Sequence, residues 1–174
     1  ANFCKKEGAI IPFIRPRKLS NSKTEMLDVL KHFNQYLFES NIKCDSITLL
    51  QPTSPLRKPS DIDRCINIYY EVKPDSVVTV CSLKDIVKPK TIMYPKEKSK
   101  LASNLFTELA LKNKELNKKL FFRNGPAIIV IRPSNLSKNT IFGKKISYSM
   151  MPIERSVDID IDYDFFLANL LLSR

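Results

Sequence analysis

The sequence predicts an α/β protein with a mainly parallel sheet flanked by helices. Three observations carry that expectation. Helical and strand-like patterns alternate along the chain, as they do where helical crossovers join parallel strands. The strand-like runs are apolar and β-branched without polar alternation, which is how strands read when both faces are covered. The 174 residues fit one domain, and 43% hydrophobic with 27% charged residues permit a packed core.

The elements follow in order. Residues 20–40, SNSKTEMLDVLKHFNQYLFES, read as a helix. Ser22 and Glu25 make a capping-box pattern, and Leu27, Leu30, Phe33 and Leu37 recur at helical spacing. SITLL (46–50) is a short strand, followed by a turn-like stretch with prolines at 52, 55 and 59. SDIDRCINIYYEV (60–72) predicts a second helix, with Ser60 and Asp63 as its capping pair and Ile62, Ile66 and Tyr69 or Tyr70 on its buried stripe. SVVTVCS (76–82) is a buried strand. SNLFTELALKNKEL (103–116) is patterned as a helix, AIIVI (127–131) and KISYSM (145–150) as strands, and 162–172 as a closing helix. No repeat or linker divides the chain, so 1–174 reads as a single domain with 84–123 as a basic arm or dimerisation insert.

Composition narrows the function. The net charge of +11 favours anionic partners. Residues 84–123 hold eleven Lys/Arg against four Asp/Glu, so seven of those net charges lie there. That surface suggests a non-catalytic nucleic-acid-binding or dimerisation module as an alternative to an enzyme. Aromatic interleaving is poor, with Tyr94 the main candidate before Phe106, so nucleic acid is the weaker expectation. Leu101, Leu105, Leu109 and Leu116 would line one helical stripe suited to a dimer or to the chain's own core. Cys4, Cys44, Cys65 and Cys81 form no CxxC pair, and His32 is the single histidine, so no zinc cluster arises. Scattered cysteines read as buried reduced thiols, and no signal or membrane-spanning run is visible, which points to a cytoplasmic protein. Three glycines, Gly8, Gly125 and Gly143, cannot build a Walker A loop or a dinucleotide fingerprint.

In an open α/β sheet, ligands bind beyond the carboxyl ends of the strands. LLQPTSPLRKPSD (49–61) leaves a strand there, with Gln51, Thr53, Ser54 and Arg57 in a proline-stiffened loop. It reads either as a ligand-holding loop or as a plain connection. FFRNGPAIIVI (121–131) carries Arg123 and the turn signal Asn124-Gly125. RSVDIDIDYDF (155–165) places Asp158, Asp160, Asp162 and Asp164 at alternate positions. In one strand all four would share a face and repel. Two arrangements relieve this: Asp158 and Asp160 hold a hard divalent cation while Asp162 and Asp164 start a helix, or all four only cap that helix.

LLQPTSPLR, RNGPAI and RSVDIDIDYDF, in that order, resemble the bacterial acylneuraminate cytidylyltransferases, or CMP-sialic acid synthetases. GAIIPFIRPRKLSNSKTEMLDVL is similar to the family's apolar strand, Arg-Pro pair and Ser/Thr-capped helix. The resemblance implies a Rossmann-like domain of the nucleotide-diphospho-sugar transferase type. It implies transfer of CMP from CTP to a nine-carbon acidic sugar with release of pyrophosphate, Mg²⁺ as cofactor and a homodimer. Asp158 and Asp160 are implied as metal ligands and catalytic residues. Gln51 and Asn124 are implied as substrate contacts, with the Thr53–Arg57 loop supporting the site and Lys90 meeting the sugar carboxylate. The family has an arginine where this chain has Phe122 and often a tyrosine where it has Ile128. Its opening Pro-Ala-Arg-x-Gly-Ser-Lys-Gly loop has no counterpart here. The expectation is therefore a chain lacking the first β-loop-α-β unit, on the order of 30 residues, with turnover by this chain alone left open.

Overall fold

A computed structural model describes residues 1–82, 93–95, 102–104, 121–123, 125 and 127–173. The chain divides into two compact units, one of residues 1–45 with 133–141 and one of 46–132 with 142–174.

The first unit is helical. It contains α1 (Asn2–Lys6), a 3-10 turn (Arg17–Leu19), α2 (Met26–Glu39) and α4 (Ser134–Ser137). Leu30 and Leu37 of the expected stripe are buried. The helix starts at Met26 with Glu25 as its N-cap and no side-chain cap, so the Ser22–Glu25 box does not form. The expected strand before it is also absent, because residues 9–16 join no ladder. Pro12 lacks the N–H that a paired strand would donate. Phe13 instead packs its ring on α2, 4.9 Å from His32 and 5.0 Å from Tyr36 between centroids. His32 is thus part of an aromatic cluster.

The second unit is a mixed sheet with a helix on it. Its strands are β1 (Ile47–Leu49), β2 (Ser76–Ser82), β5 (Phe121–Arg123), β6 (Ile129–Ile131) and β7 (Ile146–Met150). A separate hairpin pairs β3 (Met93–Pro95) with β4 (Ala102–Asn104). Ser103 and Asn104, expected to open a helix, therefore lie in β4, and residues 105–116 fall outside the described residues. The expectation of a mainly parallel sheet needs correction. The β1–β6, β6–β2 and β2–β5 ladders are antiparallel, and only β2–β7 is parallel. The strand directions explain the near miss. β1 and β2 both oppose β6, which lies between them, so β1, β2 and β7 point one way. A fully buried run such as 127–131 looks the same in either direction, so apolar pattern alone cannot reveal that β6 is reversed.

α3 (Pro59–Val72) covers one face of this sheet. Its Cys65 and Tyr69 pack with Val77, Ala127, Ile128, Val130 and Met151, flanked by Ile62 and Ile66. Tyr70, the other candidate for the stripe, is exposed. Burying each large side chain of this set stabilises the fold by roughly 1.5–3 kcal/mol. Pro59 starts the helix at a position where its missing N–H costs nothing. Asp61, rather than Asp63, closes the first turn, its Oδ2 accepting the Lys58 N–H at 2.9 Å. α5 (Asp162–Leu172) matches the expected closing helix, and of its residues Ala168 is buried.

None of the four cysteines, all among the described residues, forms a disulfide. Cys65 and Cys81 are buried as expected, but Cys4 is exposed. Burial pushes the Cys65 thiol up to about 11. No helix among the described residues is long and apolar enough to cross a membrane.

Candidate functional site

Three chain segments meet at one edge of the sheet in the second unit. β1 ends at Leu49 and β7 at Met150, and both run in the same direction. β6 is reversed and begins at Ile129, which pairs with Leu49, so its N-terminal end opens onto that same edge. The loop 51–57, the turn at Gly125 and the stretch 155–160 are thereby brought together, two from strand ends and one from a strand start.

The contacts between them are specific. Ser54 is fully buried, and its Oγ donates to Asp158 Oδ1 at 3.3 Å. The Ile159 N–H donates to the Thr53 carbonyl at 2.8 Å. Gly125 sits against Asp158 with φ +56, so closely that a Cβ there would fall on Asp158 Oδ2. Arg57 ties the loop together: its Nη1 donates to the carbonyls of Gln51 (2.7 Å), Ser54 (2.6 Å) and Ala127 (3.4 Å). Burial lowers the pKa of this guanidinium.

The aspartate series splits between a loop and a helix start, Asp158 lying eight residues beyond the end of β7 at Met150. Asp162 and Asp164 lie in the first turn of α5. Asp164 Oδ2 accepts the N–H groups of Asp160 (3.0 Å) and Ile161 (3.1 Å), closing the helix start. Asp158 belongs instead to the loop contact with Ser54, and the Asp160 side chain is exposed. The reading in which all four aspartates only cap the helix therefore does not hold for Asp158.

Sequence reasoning passes over one further pair. Arg155 grips Asp61 with two hydrogen bonds, Nε to Oδ2 at 2.9 Å and Nη2 to Oδ1 at 2.7 Å. The Asp61 side chain is fully buried. Burial alone would raise its pKa, but hydrogen bonds from Arg155 and the Lys58 N–H hold it below the usual carboxylate range. The available signal was Asp61 in the third helical position after Pro59, where a carboxylate closes the first turn.

The remaining sequence candidates fall as follows. Gln51 and Thr53 are half-buried in the loop. Arg123 is in β5, its backbone opposite Val80. Lys90 and Asn124 lie outside the described residues, as does most of the basic stretch 84–123 on which the nucleic-acid and dimerisation readings rest. Phe122 is exposed on β5, whereas Ile128 is wholly buried in the core under α3.

Asp158 and Asp160 are the carboxylates beside the loop that could take part in holding a metal. Among the described residues no group of three or more His, Cys, Asp or Glu is placed to hold a metal. Two carboxylates with water and substrate phosphate are the usual shell of Mg²⁺. Asp158, with one oxygen engaged by Ser54, and the exposed Asp160 meet that requirement in number and in oxygen chemistry.

Comparison with known proteins agrees with the three motifs. No family model matches the chain. It is 27% identical over 172 residues to the CMP-N,N'-diacetyllegionaminic acid synthase of Legionella pneumophila, covering 95% of this chain and 70% of that protein. It is 28% identical over 156 residues to the N-acylneuraminate cytidylyltransferase of Escherichia coli, covering 89% of this chain and 35% of that protein. The motif order and these two relatives agree: the chain is similar to the acylneuraminate cytidylyltransferases, or CMP-sialic acid synthetases.

Proposed function

We propose that this chain takes part in the transfer of CMP from CTP to a sialic-type nine-carbon acid, with release of pyrophosphate. The observation that supports this most is the meeting of Ser54, Gly125 and Asp158, which unites three motifs distant in sequence at one sheet edge. In the proposed reaction the sugar's anomeric hydroxyl forms a bond to the α-phosphorus, the bond from that phosphorus to the β-phosphate oxygen breaks with pyrophosphate as the leaving group, and the hydroxyl proton passes to water. Such chemistry depends on positioning and on neutralising charge. The chain's contribution is a rigid oxygen-rich edge. Asp158 and Asp160 are the proposed cation ligands, Ser54 orients Asp158, and Arg57 holds the loop that carries Gln51 and Thr53 toward the substrate. Lys90, Arg123 and Asn124 complete the proposed sugar and nucleotide contacts. Magnesium bound there would neutralise the phosphate oxygens as pyrophosphate leaves.

The test is incubation with CTP, Mg²⁺ and each of several nonulosonic acids, with pyrophosphate and CMP-sugar quantified together. The expected result is equal amounts of both products, formed only when an acid of this class is present. Pyrophosphate that appears without the sugar, or neither product with any of the acids, contradicts the reading.

A further inference from the structure

Asp61 and Arg155 stand at the ends of two of the motifs above without a role assigned to either, and they join the two halves of the site in space. Asp61 follows the 51–57 loop on the first turn of α3, and Arg155 closes the 3-10 turn Ile153–Arg155 just before Asp158. The guanidinium meets the carboxylate in a two-point fork, with the Asp61 side chain fully buried and the Arg155 side chain 23% exposed. Asp61 Oδ2 also accepts the Lys58 N–H, so the carboxylate is locked to the start of α3 from its own side.

The stretch that carries Asp158 is consequently clipped at both ends to one rigid piece of chain. Arg155 holds its beginning to Asp61, and the Ile159 N–H holds its end to the Thr53 carbonyl at 2.8 Å. Asp158 lies between these two clips and touches Ser54. Arg64, one turn further along α3, adds a bond from its Nη1 to the Met150 carbonyl at 3.0 Å, so the same helix also fixes the end of β7. Closing a helix turn requires only a carboxylate facing backbone N–H groups. A buried ion pair adds little net stability over an apolar pair of similar size, and its best-attested use is to fix register. A planar fork fixes it in both distance and angle.

We infer that Asp61 and Arg155 are a positioning pair that sets Asp158 over the 51–57 loop and so tunes the affinity of the cation site. The effect on cation affinity rests on the function proposed above, whereas the effect on the 156–160 stretch does not. The pair acts through Asp158 and touches no substrate.

The experiment uses the full chain with Arg155→Lys and, separately, Asp61→Asn. Asparagine keeps an acceptor for the Lys58 N–H and removes the charge from the pair. Amide hydrogen exchange reads the Ile159 N–H against the core amides of Val77 and Val130, and Mn²⁺ binding reads the site. In both variants Ile159 is expected to exchange faster, on the order of tenfold, with the core amides unchanged. Mn²⁺ affinity is expected to fall on the order of tenfold. Unchanged exchange at Ile159, or equal acceleration at Ile159, Val77 and Val130, overturns the inference. Faster exchange at Ile159 with unaltered Mn²⁺ affinity overturns the tuning of the site. If the unsubstituted chain binds no Mn²⁺ while Ile159 still loosens in both variants, the clip stands and the cation reading fails.

Discussion

Gly125→Ala is expected to weaken cation binding at Asp158 strongly while leaving a folded chain. Two effects separate cleanly at this position. The φ of +56 belongs to the left-handed region, where an alanine costs about 1–2 kcal/mol. For a chain of this size that corresponds to a fall in Tm of roughly 2–8 °C. The second effect is local. The new Cβ would occupy the place of Asp158 Oδ2, so the carboxylate must swing away and lose its contact with Ser54. A loss of cation affinity of 10- to 100-fold or more is expected from displacing the group in this way, on the order of what even outer-shell changes cause at metal sites. Gly8→Ala is the matched control. It has φ +85 and nothing within 4 Å of the added Cβ, so it carries the backbone strain without the clash. Differential scanning calorimetry and Mn²⁺ titration on both variants check the outcome. Equal Mn²⁺ affinity in Gly125→Ala and Gly8→Ala contradicts it.

Arg57→Ala is expected to be the more destabilising change. The guanidinium holds the carbonyls of Gln51, Ser54 and Ala127, and the loop prolines cannot replace those bonds. Hydrogen bonds to a charged group contribute about 1.5–3 kcal/mol each, and carbonyls stripped of a partner in a part-buried setting keep their desolvation cost. A loss of about 3 kcal/mol is expected, a fall in Tm of roughly 6–12 °C. Arg57→Lys should fall between alanine and the parent, because an ammonium keeps the charge and the N–H donors but on a shorter arm than Nη1. Thermal melting of the three proteins gives the order directly, and a Tm for Arg57→Ala within about 1 °C of the parent removes the clamp from the account.

The sequence made the strands and the closing helix legible for a simple reason: their signals are local. SVVTVCS is buried along almost its whole length, and α5 begins at Asp162 where the acidic first turn predicts. Direction of pairing is not local, and the antiparallel insertion of β6 escaped the pattern. The caps differ because Ser22 and Asp63 have only the right residue type: α2 starts after Glu25 with no side-chain cap, and Asp61 is the carboxylate that closes the first turn of α3. The site shows the same division. Asp158, Ser54 and the 51–57 loop stood out by motif and proved to touch one another. Gly125 read only as a turn, since its closeness to Asp158 is a tertiary fact. Arg155 was in plain view within RSVDIDIDYDF, but nothing in its neighbours announces a partner 94 residues away.

The central claim is that Asp158, braced by Ser54 and the loop behind it, anchors a divalent cation. Electron paramagnetic resonance of Mn²⁺ titrated against the full chain and against Asp158→Asn tests it most directly, with thermal melting run on both. A saturable Mn²⁺ site in the parent, displaced by Mg²⁺ and absent from an Asp158→Asn protein that melts normally, is the predicted result. Identical Mn²⁺ binding by the two proteins would contradict it.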